Sequence, residues 1–333
     1  MSEDHVSTMQ PFAAGDIFLG CTLLNDPHDD HAGIGRILQY DADCKPRGVL
    51  YTEGTRHLVG GLAVDRDGVL WAFDDHLVIH VDPATGRQLP KKDFLPRVYR
   101  SASFASDGSV YLGEHLCAEA PPPGIENLTT VEFPRIPGSG ELGYGNIYRY
   151  NADGELDCVF EVENAPEPTR FKGVTHSTLH PDEQFIAYTT ELGKRVMRYD
   201  VVEDRQLDDL VTYPGEDISD GLFAIAVRYL PDGRLLLTRG RTMEMLDEEG
   251  RVMREYELPE YGWSDVSSCG DPRYALLSNI FTGIMLKIDL ETGEFVGRID
   301  TGQSKPLRAL AGVAEFPGQP GGSGITPVTG PRS

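Results

Sequence analysis

The chain has 333 residues, and its 53 acidic side chains against 30 basic ones leave a formal net charge of −23. That excess repels phosphate backbones and anionic headgroups, which excludes nucleic-acid and membrane-surface roles. With 40% hydrophobic residues the chain can build a core, and 37 Gly with 23 Pro point to frequent turns rather than long helices.

The N-terminus, Met1-Ser2-Glu3-Asp4-His5, is acidic, and no apolar run reaches the length of a secretion signal or a membrane span. The five cysteines are scattered and form no C-x-x-C pair, as expected of isolated thiols in a reducing compartment. A cytoplasmic protein is the expectation. Residues 1–15 read as an N-terminal arm, 16–317 as a single domain, and the Gly/Pro-rich 318–333 as a disordered tail.

Along the domain, the first predicted strands span residues 16–24, 36–41 and 47–53. The loop between the first two carries His28, Asp30 and His31, which could hold a zinc-type metal or equally form a solvated acidic turn. From residue 57 onward two hairpin units recur. One is an apolar strand, an acidic turn and another apolar strand, as in Leu62-Ala63-Val64-Asp65-Arg66-Asp67-Gly68-Val69-Leu70-Trp71. The other is an apolar strand ending in Asp or Asn before a tight turn, as in Val78-Ile79-His80-Val81-Asp82 and Met285-Leu286-Lys287-Ile288-Asp289. The turn residues Asp67, Asp107, Asp182, Asp232 and Asp271 stand 40, 75, 50 and 39 residues apart. Two hairpins per period make a four-stranded antiparallel blade. The long interval holds an insertion over residues 114–144, rich in Pro and Gly, which reads as a lid.

Five complete blades fit between residues 57 and 302. The N-terminal strands lack an innermost partner, and residues 307–316 form a lone apolar strand that can supply it. The expected fold is therefore all-β: a six-bladed β-propeller whose last blade is closed by the C-terminal strand pairing with the N-terminal ones, which removes two exposed sheet edges.

Propeller ligand sites lie over the tunnel, on the segments entering the innermost strands. Those segments carry His57, Tyr99, Arg100, Lys172, Asp220, Tyr261, Trp263 and Arg308, with Asp265 beside Trp263. Several cations converging in so acidic a protein would favour a small anionic organic substrate. Arg100, Lys172 and Arg308 are candidate anchors for it, and Tyr99, Tyr261 and Trp263 candidate walls. His176, on an innermost strand where neighbouring copies have Gly61, Ser101 and Ala226, is a candidate general acid or base, with His57 and Asp220 beside it. The alternative is a core histidine satisfied by a backbone carbonyl, with the cations held in salt bridges.

Segments such as Gly60-Gly61-Leu62-Ala63-Val64-Asp65 and Thr175-His176-Ser177-Thr178-Leu179-His180-Pro181-Asp182 resemble the SMP-30/gluconolactonase and NHL-like group of six-bladed propellers over about residues 16–316. The resemblance implies ester or lactone hydrolysis at a divalent cation, usually calcium, held by Asn, Asp and Glu at the top of the tunnel. The matching positions here are Gly60, Arg100, Thr175, Ile225 and Ser264, none of them a good calcium ligand. The expectation is thus a metal-independent enzyme, with calcium or zinc as the alternative. A lyase or isomerase on the same groups and a non-catalytic binding propeller stay open beside hydrolysis.

Overall fold

The computed structural model describes residues 5–24, 33–54, 59–74, 77–116, 145–163, 172–191, 193–215, 223–303 and 310–318. Among them there are 25 strands and no helix, so no helix is long and apolar enough to cross a membrane.

In chain order, β1 (Ile17–Leu24), β2 (Gly33–Tyr40) and β3 (Pro46–Tyr51) come first. The first full blade is β4 (Val59–Val64), β5 (Leu70–Asp74), β6 (Leu77–Asp82) and β7 (Arg87–Gln88). The second is β8 (Tyr99–Phe104), β9 (Val110–Leu116), β10 (Ile147–Tyr150) and β11 (Leu156–Phe160), with a short β12 (Lys172–Gly173) added to β9. The third is β13 (His176–Leu179), β14 (Phe185–Thr189), β15 (Arg195–Asp200) and β16 (Arg205–Thr212). The fourth is β17 (Val227–Tyr229), β18 (Leu235–Thr238), β19 (Thr242–Leu246) and β20 (Val252–Glu257), and the fifth is β21 (Trp263–Ser268), β22 (Tyr274–Asn279), β23 (Ile284–Asp289) and β24 (Phe295–Asp300). The last strand, β25 (Gly312–Glu315), pairs antiparallel with β1, giving a sheet of order β25-β1-β2-β3. Six sheets in a closed ring make the molecule a six-bladed β-propeller, shut by the C-terminal strand as the spacing predicts.

The recurring acidic residues have a common local cause. Asp41 Oδ1 accepts from the N–H groups of Asp43 and Lys45, Asn151 Oδ1 from Asp153 and Glu155, and Asp247 Oδ1 from Glu249 and Arg251. Each side chain replaces a strand partner for backbone donors at a bend. Asp65 does the same for Asp67 and Val69, and its Oδ2 also accepts from Trp71 Nε1 at 2.8 Å.

The hydrophobic residues segregate into six clusters, each joining two adjacent blades. Strands of a propeller are covered on both faces, so β5 is buried throughout and β18 likewise. Only outermost strands such as β20 and β24 alternate towards solvent. This arrangement turns the six innermost strands, β25, β4, β8, β13, β17 and β21, into a ring in which each contacts the next. Residues 7–10 of the N-terminal arm lie against the closing blade, with the N–H groups of Thr8 and Met9 both donating to Val49 O.

Candidate functional site in the central tunnel

The innermost strands line the tunnel with small and polar residues, and side chains link neighbouring blades around it. Ser101 Oγ and Ser177 Oγ are 2.8 Å apart, Leu179 N donates to Ser103 Oγ at 3.0 Å, and Tyr229 N donates to Thr178 Oγ1 at 3.1 Å. Into this ring project four ionisable groups from four different blades: Arg100 of β8, His176 of β13, Arg228 of β17 and Asp265 of β21.

Asp265 is the hub. Its Oδ1 accepts from Val266 N at 2.8 Å and its Oδ2 from Val313 N at 3.0 Å, so it also ties the closing strand to the fifth blade. His176 Nδ1 stands 3.7 Å from Oδ1. Burial disfavours the carboxylate and outweighs the two N–H bonds and the nearby charges of Arg100 and Arg228, so the Asp265 pKa is pushed up to about 7. Burial acts on His176 in the opposite sense. Desolvation, reinforced by Arg100 and only partly offset by a hydrogen bond with the Ser264 backbone, lowers it to about 3. The pair therefore holds one proton between pH 4 and 6, on the carboxyl. When the imidazole finally protonates Asp265 is already neutral, which is why so close a carboxylate does not raise the histidine.

Room for Arg100 comes from a missing side chain next door. A Cβ at Gly60 would meet Arg100 Cδ at 3.1 Å and Nε at 3.2 Å. The guanidinium thus lies where the neighbouring blade has only backbone, at one of the positions that the resemblance would assign to a calcium ligand. A cation at that place opposes a second one, so the residues do not fit a calcium centre. Among the described residues no group of three or more His, Cys, Asp or Glu could hold a metal.

Of the other residues expected at the site, His57, Asp220 and Arg308 lie outside the described residues, as do His28, Asp30 and His31 and nearly all of the 114–144 insertion. Lys172 is placed by its backbone, opposite Leu116 in the β12–β9 pair. Tyr261 sits ahead of β21, stacked on Phe281 with ring centroids 5.7 Å apart and with Arg241 over its ring. Two expectations need correction. Tyr99 and Trp263 are core residues, 2% and 0% exposed, and give the tunnel no wall. Tyr99 packs between the first and second blades with its hydroxyl 2.8 Å from that of Tyr150, while Trp263 fills the space between the fourth and fifth. Each starts an innermost strand, and a β-bulge at the next residue, Arg100 or Ser264, breaks the regular alternation, so the large ring turns into the inter-blade core while Arg100 and Asp265 project into the ring. A third correction concerns His176, which does not titrate near neutrality; Asp265 does.

Sequence reasoning singled out neither Arg228 nor the weight of Asp265. The available signal for the first was a lone arginine in the apolar run Ala226-Val227-Arg228-Tyr229-Leu230 of an innermost strand. A second polar group gathers at the root of the insertion. Glu114, wholly buried, accepts from Tyr148 OH at 2.9 Å and from Gly145 N at 3.1 Å, while His115 Nε2 lies 3.3 Å from Glu191 Oε2.

The fold and site together define a six-bladed β-propeller with a charged tunnel. No protein-family model matches the chain, and no curated protein matches it. Solved structures share the architecture. A chain of the nidogen/laminin complex matches with a TM-score of 0.59 at 13% identity, covering 92% of this chain and 100% of that one. A protein of unknown function from Bacteroides caccae matches with a TM-score of 0.59 at 12% identity, covering 91% and 99%. At such identities the likeness is one of fold.

Proposed function

We propose that the protein is a small-molecule enzyme of the SMP-30/gluconolactonase and NHL-like kind, acting in its central tunnel on an anionic organic substrate without the calcium typical of that group. The observation that carries the reading is Asp265, a carboxyl poised near neutral pH between Arg100 and a neutral imidazole, because a proton-transfer group works best with a pKa near the operating pH. In the hydrolysis of an ester or lactone, ionised Asp265 takes a proton from the attacking water. Arg100 faces the oxyanion that forms on the former carbonyl, and Asp265 returns the proton to the departing alkoxide. The N–H groups of Val266 and Val313 keep the carboxyl in place, and the neutral His176 beside it adds no competing charge. A proton abstraction next to a substrate carboxylate, as in a lyase or isomerase, would use the same carboxyl and the same arginine.

A non-catalytic propeller is the second reading. Asp265 and His176 are each only 8% exposed, and the matched chain of the nidogen/laminin complex carries this fold. Assay of the full chain against carboxylate-bearing esters and lactones separates the two. For the enzyme, Asp265→Asn lowers kcat by about a hundredfold or more and Arg100→Gln lowers kcat/KM, with circular dichroism showing a retained fold. Full turnover by a folded Asp265→Asn variant would sink the mechanism. Ligand binding with no turnover of any substrate favours the second reading.

A further inference from the structure

At the end of the tunnel where the innermost strands finish, a cavity of about 310 Å3 opens. Five of the six innermost strands or their turns line it, among them Ser103 of β8, Thr178 of β13, Arg228 of β17 and Ser268 of β21. Arg228 is the unusual member. Among the described residues its guanidinium makes one hydrogen bond, from Nε to Ser268 Oγ at 3.2 Å, out of the five N–H donors it carries. The side chain is half-buried and lines the cavity.

Each of the hydroxyls around it has one lone pair engaged and its proton to spare. Ser103 Oγ accepts from Leu179 N, Thr178 Oγ1 from Tyr229 N and Ser268 Oγ from Arg228 itself. The carboxylate lining the cavity, Glu183, is already taken up by Ser106 N at 2.7 Å, Ser106 Oγ at 2.8 Å and Arg66 at 3.3 Å. What remains to donate into the cavity is the Arg228 guanidinium and three hydroxyl protons, with no free carboxylate opposing them among the described residues. Desolvation of Arg228 exceeds what Asp265 returns to it, so its charge is under-compensated within the protein.

We propose that this lower mouth is a binding site for a small oxyanion, a carboxylate or phosphate group, anchored by Arg228 and received by the hydroxyls of Ser103, Thr178 and Ser268. Arg228 lies within electrostatic reach of Asp265, so the site adjoins the proposed proton-transfer chemistry, but it would bind its anion even in a protein that catalyses nothing.

Isothermal titration calorimetry of the full chain with sodium phosphate and, separately, sodium succinate at constant ionic strength tests it. One saturable site for at least one probe is expected, and the stronger of the two assigns the anion as phosphate or carboxylate. Arg228→Gln should weaken binding about tenfold or more and Ser268→Ala about threefold, since a charge-assisted bond contributes more than a neutral one. Arg100→Gln should change it less than about twofold. Should Arg228→Gln not fold, Ser268→Ala and Arg228→Lys carry the test, both expected to bind more weakly than the native chain. No saturable binding of either probe, or native affinity in a folded Arg228 variant, overturns the proposal. So does loss of binding in Arg100→Gln with Arg228→Gln unaffected, which would put the anion at the other half of the tunnel.

Discussion

Asp265 and His176 have opposed effects on stability that nearly cancel. A carboxyl raised to about 7 keeps its proton in the folded state after the unfolded chain has lost it, so its contribution falls as pH rises from about 4 to 7. A histidine lowered to about 3 stays neutral in the folded state while the unfolded chain binds a proton, so its contribution rises from about pH 3 to 6.5. Over the shared window the native pair is nearly silent. Replacing His176 by Asn removes the rising limb and exposes the falling one. Denaturant titrations of both proteins across this range should show the variant losing stability relative to the native chain as pH rises, by up to about 1.4 kcal/mol per pH unit. A difference that is flat, or of opposite sign, would show that burial does not shift the two groups in opposite senses. Arg100 and His176 could be picked out from the sequence because their positions relative to the turn aspartates place them on innermost strands. That His176 meets Asp265, from a blade two further round the ring, could not, since nothing in the local sequence of either strand refers to the other.

At the scale of the element, the hairpins owe their shape to side chains that bond their own turn. Asp65 is the most heavily used, serving Asp67 N, Val69 N and Trp71 Nε1. Asp65→Ala leaves the indole N–H and two turn donors without their acceptor and should reduce stability by about 1–3 kcal/mol, seen as a lower urea midpoint followed by tryptophan fluorescence. An unchanged midpoint would mean that water replaces the carboxylate at no loss. These turns were legible because their chemistry is local: the acidic residue and the amides it caps lie within four positions of one another. The direction of Tyr99 and Trp263 was not. Both stand at strand starts near the tunnel, and only the neighbouring blades reveal that their rings fill the inter-blade core.

For the whole molecule the seam between the two ends of the chain is decisive. β25 pairs with β1 over Ile17–Gly20, and Val313 N bonds Asp265 across to the fifth blade. Val313→Pro removes that donor inside an innermost strand and should lower stability by about 3 kcal/mol or more, with loss of a single cooperative transition in calorimetry. Retention of native stability would mean that ring closure adds little. Because the Val313 bond ends on Asp265, the same carboxyl serves both the seam and the proposed chemistry. A fall in activity on opening the ring is then expected even though β25 contributes no reactive side chain.

The number of blades, the closing strand and the turn aspartates follow from the sequence by itself, because repetition at a fixed period records a unit that can bury its faces only by stacking on copies of itself. The net charge of −23 likewise follows from composition. Which cations face the tunnel, and in what ionisation state the groups beside them stand, was decided only by the tertiary structure. Burial, strand bulges and the meeting of blades distant in sequence set those properties, and they raise a carboxyl and lower an imidazole that a linear reading would have assigned the other way round.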